Sequence, residues 1–122
     1  MATEKGKKIM NCIFCKIIND EIPSRKVYED DDVLAFHDVN PQAPVHVLVI
    51  PKRHIAKVSD MDGEDELLLG KLVHVSKKVA GDLGILDDGF RLVINNGEKA
   101  NQTVFHIHLH VIGGRRMGWP PG

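Results

Sequence analysis

The sequence has no apolar run approaching the roughly 18 residues that a membrane span needs. It also lacks a net charge to speak of: 16 Lys and Arg stand against 17 Asp and Glu, a formal balance of −1. That removes the electrostatic case for nucleic acid, although a small phosphate-bearing ligand needs only a local nest of amides. Cysteine is scarce, with two residues in the whole chain, so no disulfide framework is expected. The basic N-terminal "MATEKGKK" is not followed by the apolar segment of a signal peptide. An intracellular, cytoplasmic protein is the expectation. Internal repeats, long linkers and low-complexity tracts are missing too.

What is present suits one domain. The 122 residues allow a single modest core over residues 11–122, behind a flexible tail at 1–10. "NCIFCKII" predicts a short helix at 11–18, with Asn11 as its cap and Phe14, Ile17 and Ile18 as its buried stripe. "RKVYEDDDVLAFHD" reads as two strands about an acidic turn at Glu29–Asp32, and "HVLVIPK" as a buried strand closed by Pro51. A long helix is predicted at 63–83. Leu68, Leu72, Val75, Ser76, Val79 and Leu83 recur at its spacing, with Leu69, Val73 and Ala80 widening the stripe. Asp62 with Asp65 or Glu66 signals its start and Gly84 its end. "FRLVINN" and "TVFHIHLHVI" supply two more strands, and "GGRRMGWPPG" a tail without regular structure. The expected fold class is α+β: a five-stranded antiparallel sheet with one long and one short helix.

One segment asks for an explanation of its own. In "VFHIHLHVIGG" three of the chain's seven histidines alternate with apolar residues. On a strand His106, His108 and His110 share one face, and Ile107, Leu109 and Val111 the other. Three imidazoles spaced by roughly 6.5–7 Å can serve one ligand or one metal. The preceding "NNGEKANQT" is rich in neutral hydrogen-bond donors and flexible backbone, which suit phosphate oxygens better than a bare cation. A neutral imidazole is a competent nucleophile toward phosphorus near neutral pH. Nucleophilic chemistry is therefore favoured over a mononuclear zinc hydrolase with the three histidines as ligands. A solvated face is the plain alternative. "CIFC" admits a redox pair, two buried thiols or half a zinc site. His37 and His74 carry no comparable signal.

"HIHLHVI" resembles the His-φ-His-φ-His-φ-φ motif of the histidine triad (HIT) superfamily. "FHDVNPQAPVHVLVIPKRHI", "NNGEKANQTVFHIHLHV" and "GGRRMGWPPG" resemble its Hint branch, the nucleoside phosphoramidate hydrolases. The likeness runs from about Cys12 to Gly122 and implies the HIT-like fold. It implies that His108 attacks the α-phosphorus of a purine nucleotide and carries the nucleotidyl group. His110 would contact the phosphate and help the leaving group, while His106 and His46 orient the site. Asp38 would bind the ribose hydroxyls and Val39 line the base pocket. Asn95 and the loop of Asn101, Gln102 and Thr103 would bind phosphate. Thr103 stands where the branch more often has serine, and Asn101 where glycine is common. The resemblance further implies a homodimer with Trp119, Pro120 and Pro121 near the partner's site.

It also completes the cysteine pair. A structural zinc on Cys12, Cys15, His54 and His106 is implied, bracing the first helix against the catalytic strand; catalysis itself needs no cofactor. The expected activity is hydrolysis of P–N bonds in nucleoside 5′-phosphoramidates of the AMP–amine type. A dinucleoside polyphosphate hydrolase, a nucleotidyl transferase and a nucleotide-binding regulatory module are the alternatives.

Overall fold

The computed structural model describes residues 11–122, so the tail expected at 1–10 lies outside the described residues. A short helix α1 (Ile13–Ile18) leads into strands β1 (Lys26–Glu29), β2 (Val33–His37) and β3 (Val45–Pro51). Helix α2 (Glu66–Asp82) then precedes β4 (Phe90–Ile94) and β5 (Leu109–Gly113). The strands form one antiparallel sheet in the order β1-β2-β3-β5-β4, so the histidine-bearing strand runs through the interior.

The sheet has two covered faces, and the period of two in its strands assigns each residue to one. Val33, Ala35, Val47, Val49, Ile107, Leu109 and Val111 pack with Leu72, Val75, Val79 and Ala80 of α2. Leu34, Phe36, Leu48 and Ile50 pack instead with Phe14, Cys15, Ile17 and Ile18 of α1. All of these side chains are buried. At roughly 1.5–3 kcal/mol for each large apolar side chain, the two clusters are the main source of stability. His46, His108 and His110 lie among residues of the α1 face, so α1 acts as a partial roof over the imidazoles.

Local chemistry explains the boundaries. The acidic turn is closed by Asp30, whose Oδ1 accepts from the amides of Asp32 at 2.8 Å and Val33 at 2.9 Å. Burial opposes ionisation of that carboxyl, yet the Tyr28 hydroxyl, these amides and Lys71 together hold its pKa well below the usual range. Helix α2 begins after a single 3₁₀ turn (Gly63–Asp65). Asp62 and Asp65 form a reciprocal capping box there, and Gly84 follows the helix at φ +79°.

Three expectations need correction. The cap of α1 is Cys12, whose Sγ accepts from the Cys15 amide at 3.3 Å; Asn11 lies one residue outside. Val73 does not widen the buried stripe of α2, being 45% exposed on its outer side. The last strand starts at Leu109, six residues late: β4 ends at Ile94, opposite Leu109, and pairing with β3 stops at Val49, although β3 itself runs on to Pro51 against β2. Before that point the extended segment is held by one main-chain bond, from the Ile107 amide to the Ile55 carbonyl at 2.8 Å. The in–out alternation survives without the ladder.

After β5 the chain turns at Gly114, with φ +91°, and a Cβ there would lie 2.9 Å from the Pro44 Cβ. Backbone strain and a rigid neighbour act together at this position. Gly114→Ala should destabilise the protein by about 1–3 kcal/mol in urea unfolding, and an unchanged midpoint would contradict the contact.

Candidate active site and metal cluster

Five imidazoles stand within two small groups, and the partner of one ring nitrogen bears on what the other does. His108 Nδ1 lies 2.8 Å from the His106 carbonyl, which only accepts, so Nδ1 carries the proton. The lone pair of His108 is thereby on Nε2. His46 Nδ1 accepts from the Gln42 amide at 3.0 Å, which puts the neutral ring's proton on Nε2. That proton points to His110 Nδ1 at 2.9 Å. His110 in turn carries its own proton on Nε2, an atom buried with no hydrogen-bond partner among the described residues. The result is one lone pair and one N–H donor side by side, with ring centroids 4.9 Å apart.

These rings are kept neutral. Burial lowers the pKa of His108 and of His46, the latter against the opposing pull of Asp38. Burial, then His108 and His46, push His110 down to about 4. Phe14 of α1 meets the His108 ring edge-on at 5.1 Å and supplies much of the apolar surroundings.

His108 and His110 line a cavity of about 800 Å³ together with Asp38, Val39 and Thr103. Its apolar wall is Ile13, Phe14, Ile17, Ile22, Phe36 and Leu48. Val39 is fully exposed at the mouth. Asp38 Oδ1 accepts from the Asn40 amide at 2.8 Å, while Oδ2 lies 3.4 Å from His46 Nε2. His37 also lines the cavity, and burial, then Arg25, lower its pKa; nothing in the sequence distinguished it. His74 is exposed on α2.

The residues expected at the phosphate divide. Thr103 reaches the cavity, while Asn95, Asn101 and Gln102 are not among its lining residues. Asn101 occupies the left-handed region at φ +67°, which asparagine tolerates where other residues would strain. Gln102 is buried and its amide is fully used within the protein. Oε1 accepts from the Gly97 amide at 2.8 Å, and Nε2 donates to the Ala56 and Val104 carbonyls at 2.8 and 3.1 Å. It shapes the loop that presents Thr103.

His106 turns away from this cavity. Its Nε2–H donates to the Pro51 carbonyl at 2.8 Å, leaving a lone pair on Nδ1. That nitrogen lies 3.5 Å from Cys12 Sγ, 3.6 Å from Cys15 Sγ and 3.1 Å from His54 Nδ1, and Cys15 Sγ is 3.4 Å from His54 Nδ1. The four donor atoms all lie within 4.8 Å of one another. A tetrahedral zinc, with bonds of about 2.3 Å to sulfur and 2.0–2.1 Å to nitrogen, places S···N pairs at roughly 3.5 Å and N···N pairs at roughly 3.3 Å. The spacing and the donor chemistry therefore fit a closed Cys₂His₂ metal site. Neither cysteine is in a disulfide.

Asp38, His46 and His110 also bring donor atoms within 4.8 Å. A metal on His46 Nε2 would require the ring proton on Nδ1, facing the donating Gln42 amide. Two donors would then oppose each other, which disfavours that cluster as a cation site. The triad does not converge on one ion, since its three rings look to three different partners.

Residues 19–117 match the HIT domain family. The chain is 54% identical over 112 residues to a 14 kDa zinc-binding protein of Brassica juncea, covering 90% of this chain and 98% of that protein. A HIT family hydrolase from Legionella pneumophila superposes with a TM-score of 0.90 at 50% identity, covering 92% of this chain and 100% of the other. A histidine triad nucleotide-binding protein from Candida albicans gives 0.77 at 38% identity, covering 90% and 83%. The expected fold is thus found in solved relatives, and no helix among the described residues is long and apolar enough to cross a membrane.

The lowered histidine pKa values set a direction for acid stability. With His110 at about 4 folded and about 6.5 unfolded, the unfolded chain binds its proton first. Stability is fully present above about pH 6.5, falls as the pH drops toward 4, and loses nothing more to this group below that. Urea midpoints of metal-free protein should be lower at about pH 5 than at about pH 7.5, and His110→Gln should shallow the drop. Identical slopes in both proteins would contradict the assignment.

Proposed function

The chain belongs to the HIT domain family, and from that membership we propose that it is a nucleotide-binding hydrolase of purine nucleoside 5′-phosphoramidates. The observation that carries this reading is the set of ring partners: the His106 carbonyl at His108 Nδ1 and the Gln42–His46 chain at His110 Nδ1, which together imply a lone pair on His108 Nε2 and an N–H on His110 Nε2. A phosphate needs both, one to attack phosphorus and one to bind the oxygens that repel the attack.

In this reading the apolar wall holds the base, with Val39 at its mouth. The Asp38 carboxylate accepts from the ribose hydroxyls, and Asn95, Asn101, Gln102 and Thr103 shape and line the phosphate end. His108 Nε2 forms a bond to the α-phosphorus as the P–N bond to the amine breaks. The electron pair of that bond stays with the amine nitrogen, which takes up a proton from solvent and departs as the neutral amine. The nucleotidyl-imidazole is positively charged on its ring, and the His106 carbonyl stabilises the ring through Nδ1–H. Water then adds to the phosphorus and gives its proton to solvent as the P–Nε2 bond breaks, the bonding pair returning to Nε2 of neutral His108. His110 Nε2–H donates to a phosphoryl oxygen throughout, and His46 keeps that donor in place.

A structural zinc on Cys12, Cys15, His54 and His106 belongs to the same reading. It is supported by the donor spacing and by the zinc-binding relative. Bound there, the ion would tie α1 to the end of β3 and to His106, and take no part in the chemical step. A homodimer is also proposed, with the exposed Trp119 of one chain near the other's site; the tail is anchored by Arg91, which donates to the Gly118 carbonyl at 2.7 Å.

The nucleophile, the substrate class and the zinc site are tested separately. Protein quenched during turnover of an AMP–amine substrate should carry a nucleotide-sized adduct on His108 by mass spectrometry. His108→Ala should lower kcat by ~10³-fold or more, with His108→Gly partly restored by free imidazole. Turnover retained in His108→Ala would overturn the nucleophile, and faster cleavage of diadenosine polyphosphates than of AMP–amines would overturn the substrate class. Metal-free protein should take up one zinc per chain with a rise in Tm, more weakly as the pH falls and protons compete for the thiolates, and Cys15→Ser should weaken uptake at neutral pH. Equal uptake by Cys15→Ser would contradict the ligand set.

A further inference from the structure

The N–H on His110 Nε2 depends on a chain of hydrogen bonds that ends far from it, in the C-terminal segment. Traced backward, His110 Nδ1 accepts from His46 Nε2 at 2.9 Å, and His46 Nδ1 accepts from the Gln42 amide at 3.0 Å. The Gln42 carbonyl accepts from Arg115 Nε at 3.0 Å. The Gln42 residue is thus gripped on both sides of its backbone: its amide by the active-site relay, its carbonyl by an arginine two residues past β5. The turn at Gly114 brings that arginine into reach by packing on Pro44 of the same loop.

We propose that Arg115 is a positioning residue for catalysis, fixing the tautomers of His46 and His110 through the Gln42 peptide. The inference rests on the reading that His110 offers an N–H to phosphate. A neutral imidazole has two tautomers, and only its hydrogen-bond partners choose between them. The Gln42 N–H allows one form of His46, because a proton on Nδ1 would face another donor. If Gln42 withdraws, the donor that forbids a proton on His46 Nδ1 is gone, only the Asp38 carboxylate 3.4 Å from Nε2 still favours the original form, and a fraction of His46 can place its proton on Nδ1. Its Nε2 then accepts, His110 donates from Nδ1, and the His110 lone pair turns to the cavity.

The consequence is specific. With both His108 and His110 presenting lone pairs, an anionic phosphate meets two acceptors and no donor from this pair. The loss falls on the chemical step, since base and ribose contacts lie elsewhere in the cavity. Gln42 is exposed, and among the described residues its polar ties are the His46 ring, the Arg115 guanidinium and its own side-chain bond to the Asn40 carbonyl at 3.0 Å. Arg115 is exposed as well, so its removal should leave the core intact.

Three variants in the full-length, zinc-loaded protein test this: Arg115→Ala, Arg115→Lys and, as a control on charge, Arg116→Ala. Nitrogen-15 NMR of labelled histidine side chains reports the protonated nitrogen of His46 and His110 without substrate. In wild type both should be protonated on Nε2. Arg115→Ala should shift a measurable fraction of both to Nδ1, and lower kcat about tenfold with KM within about twofold. Arg115→Lys, which keeps a donor, should recover most of both signals, and Arg116→Ala should match wild type. Wild-type tautomers and kcat in Arg115→Ala would overturn the proposal. So would equal losses in Arg115→Ala and Arg116→Ala, which would indicate net charge. The tautomer measurement stands even if quenched wild type shows no adduct on His108. That outcome would instead defeat the proposed covalent reaction.

Discussion

The His106 residue is committed at every polar atom that could orient it, and the rest of the site is built outward from that commitment. Its Nε2–H is taken by the Pro51 carbonyl, its Nδ1 faces two thiols and His54, and its own carbonyl accepts the Nδ1–H of His108. The residue is fully buried, and burial, aided by the His54 and His108 rings and opposed by the Pro51 bond, lowers its pKa to about 4. A buried ring with fixed partners cannot flip or change tautomer without orphaning a polar group, at a cost of ~1–3 kcal/mol. The nucleophile candidate inherits that rigidity through one carbonyl.

The two functions suggested by the sequence are thus separate in space and joined through a single residue. One side of His106 faces the cysteines, where the donor set suits a structural cation; its main chain faces the cavity, where His108 and His110 stand. Helix α1 touches both. Cys12 and Cys15 belong to the metal cluster, and Phe14 between them packs edge-on against both imidazoles, at 5.9 Å from His106 and 5.1 Å from His108. A six-residue helix could not hold such a position by its own hydrogen bonds. Its buried stripe and its thiols fix it instead.

The alternation of "HIHLHVI" was enough to place three histidines on one side of the segment and three aliphatics on the other. The capping box at Asp62 and the Gly84 stop bounded α2 closely. What stayed hidden was whatever depends on main-chain partners. The sequence could not say that Ile55 would capture Ile107 before the ladder begins, nor that Pro51 and His106 carbonyls would choose two tautomers. Gln42 acts through its amide and carried no side-chain signal. Gln102 illustrates the reverse problem: a side chain fit for phosphate is occupied by three main-chain partners, Gly97 and Val104 nearby and Ala56 from the segment after β3. Cys12 took the cap from Asn11 because its thiol must face inward.

The account turns on where three protons reside, and neutron diffraction from a deuterated crystal at neutral pH would locate them. It predicts deuterium on Nδ1 of His108, on Nε2 of His110 and on Nε2 of His106, with His108 Nε2 bare toward the cavity. Deuterium on His108 Nε2, with Nδ1 bare against a carbonyl, would contradict the account at its root.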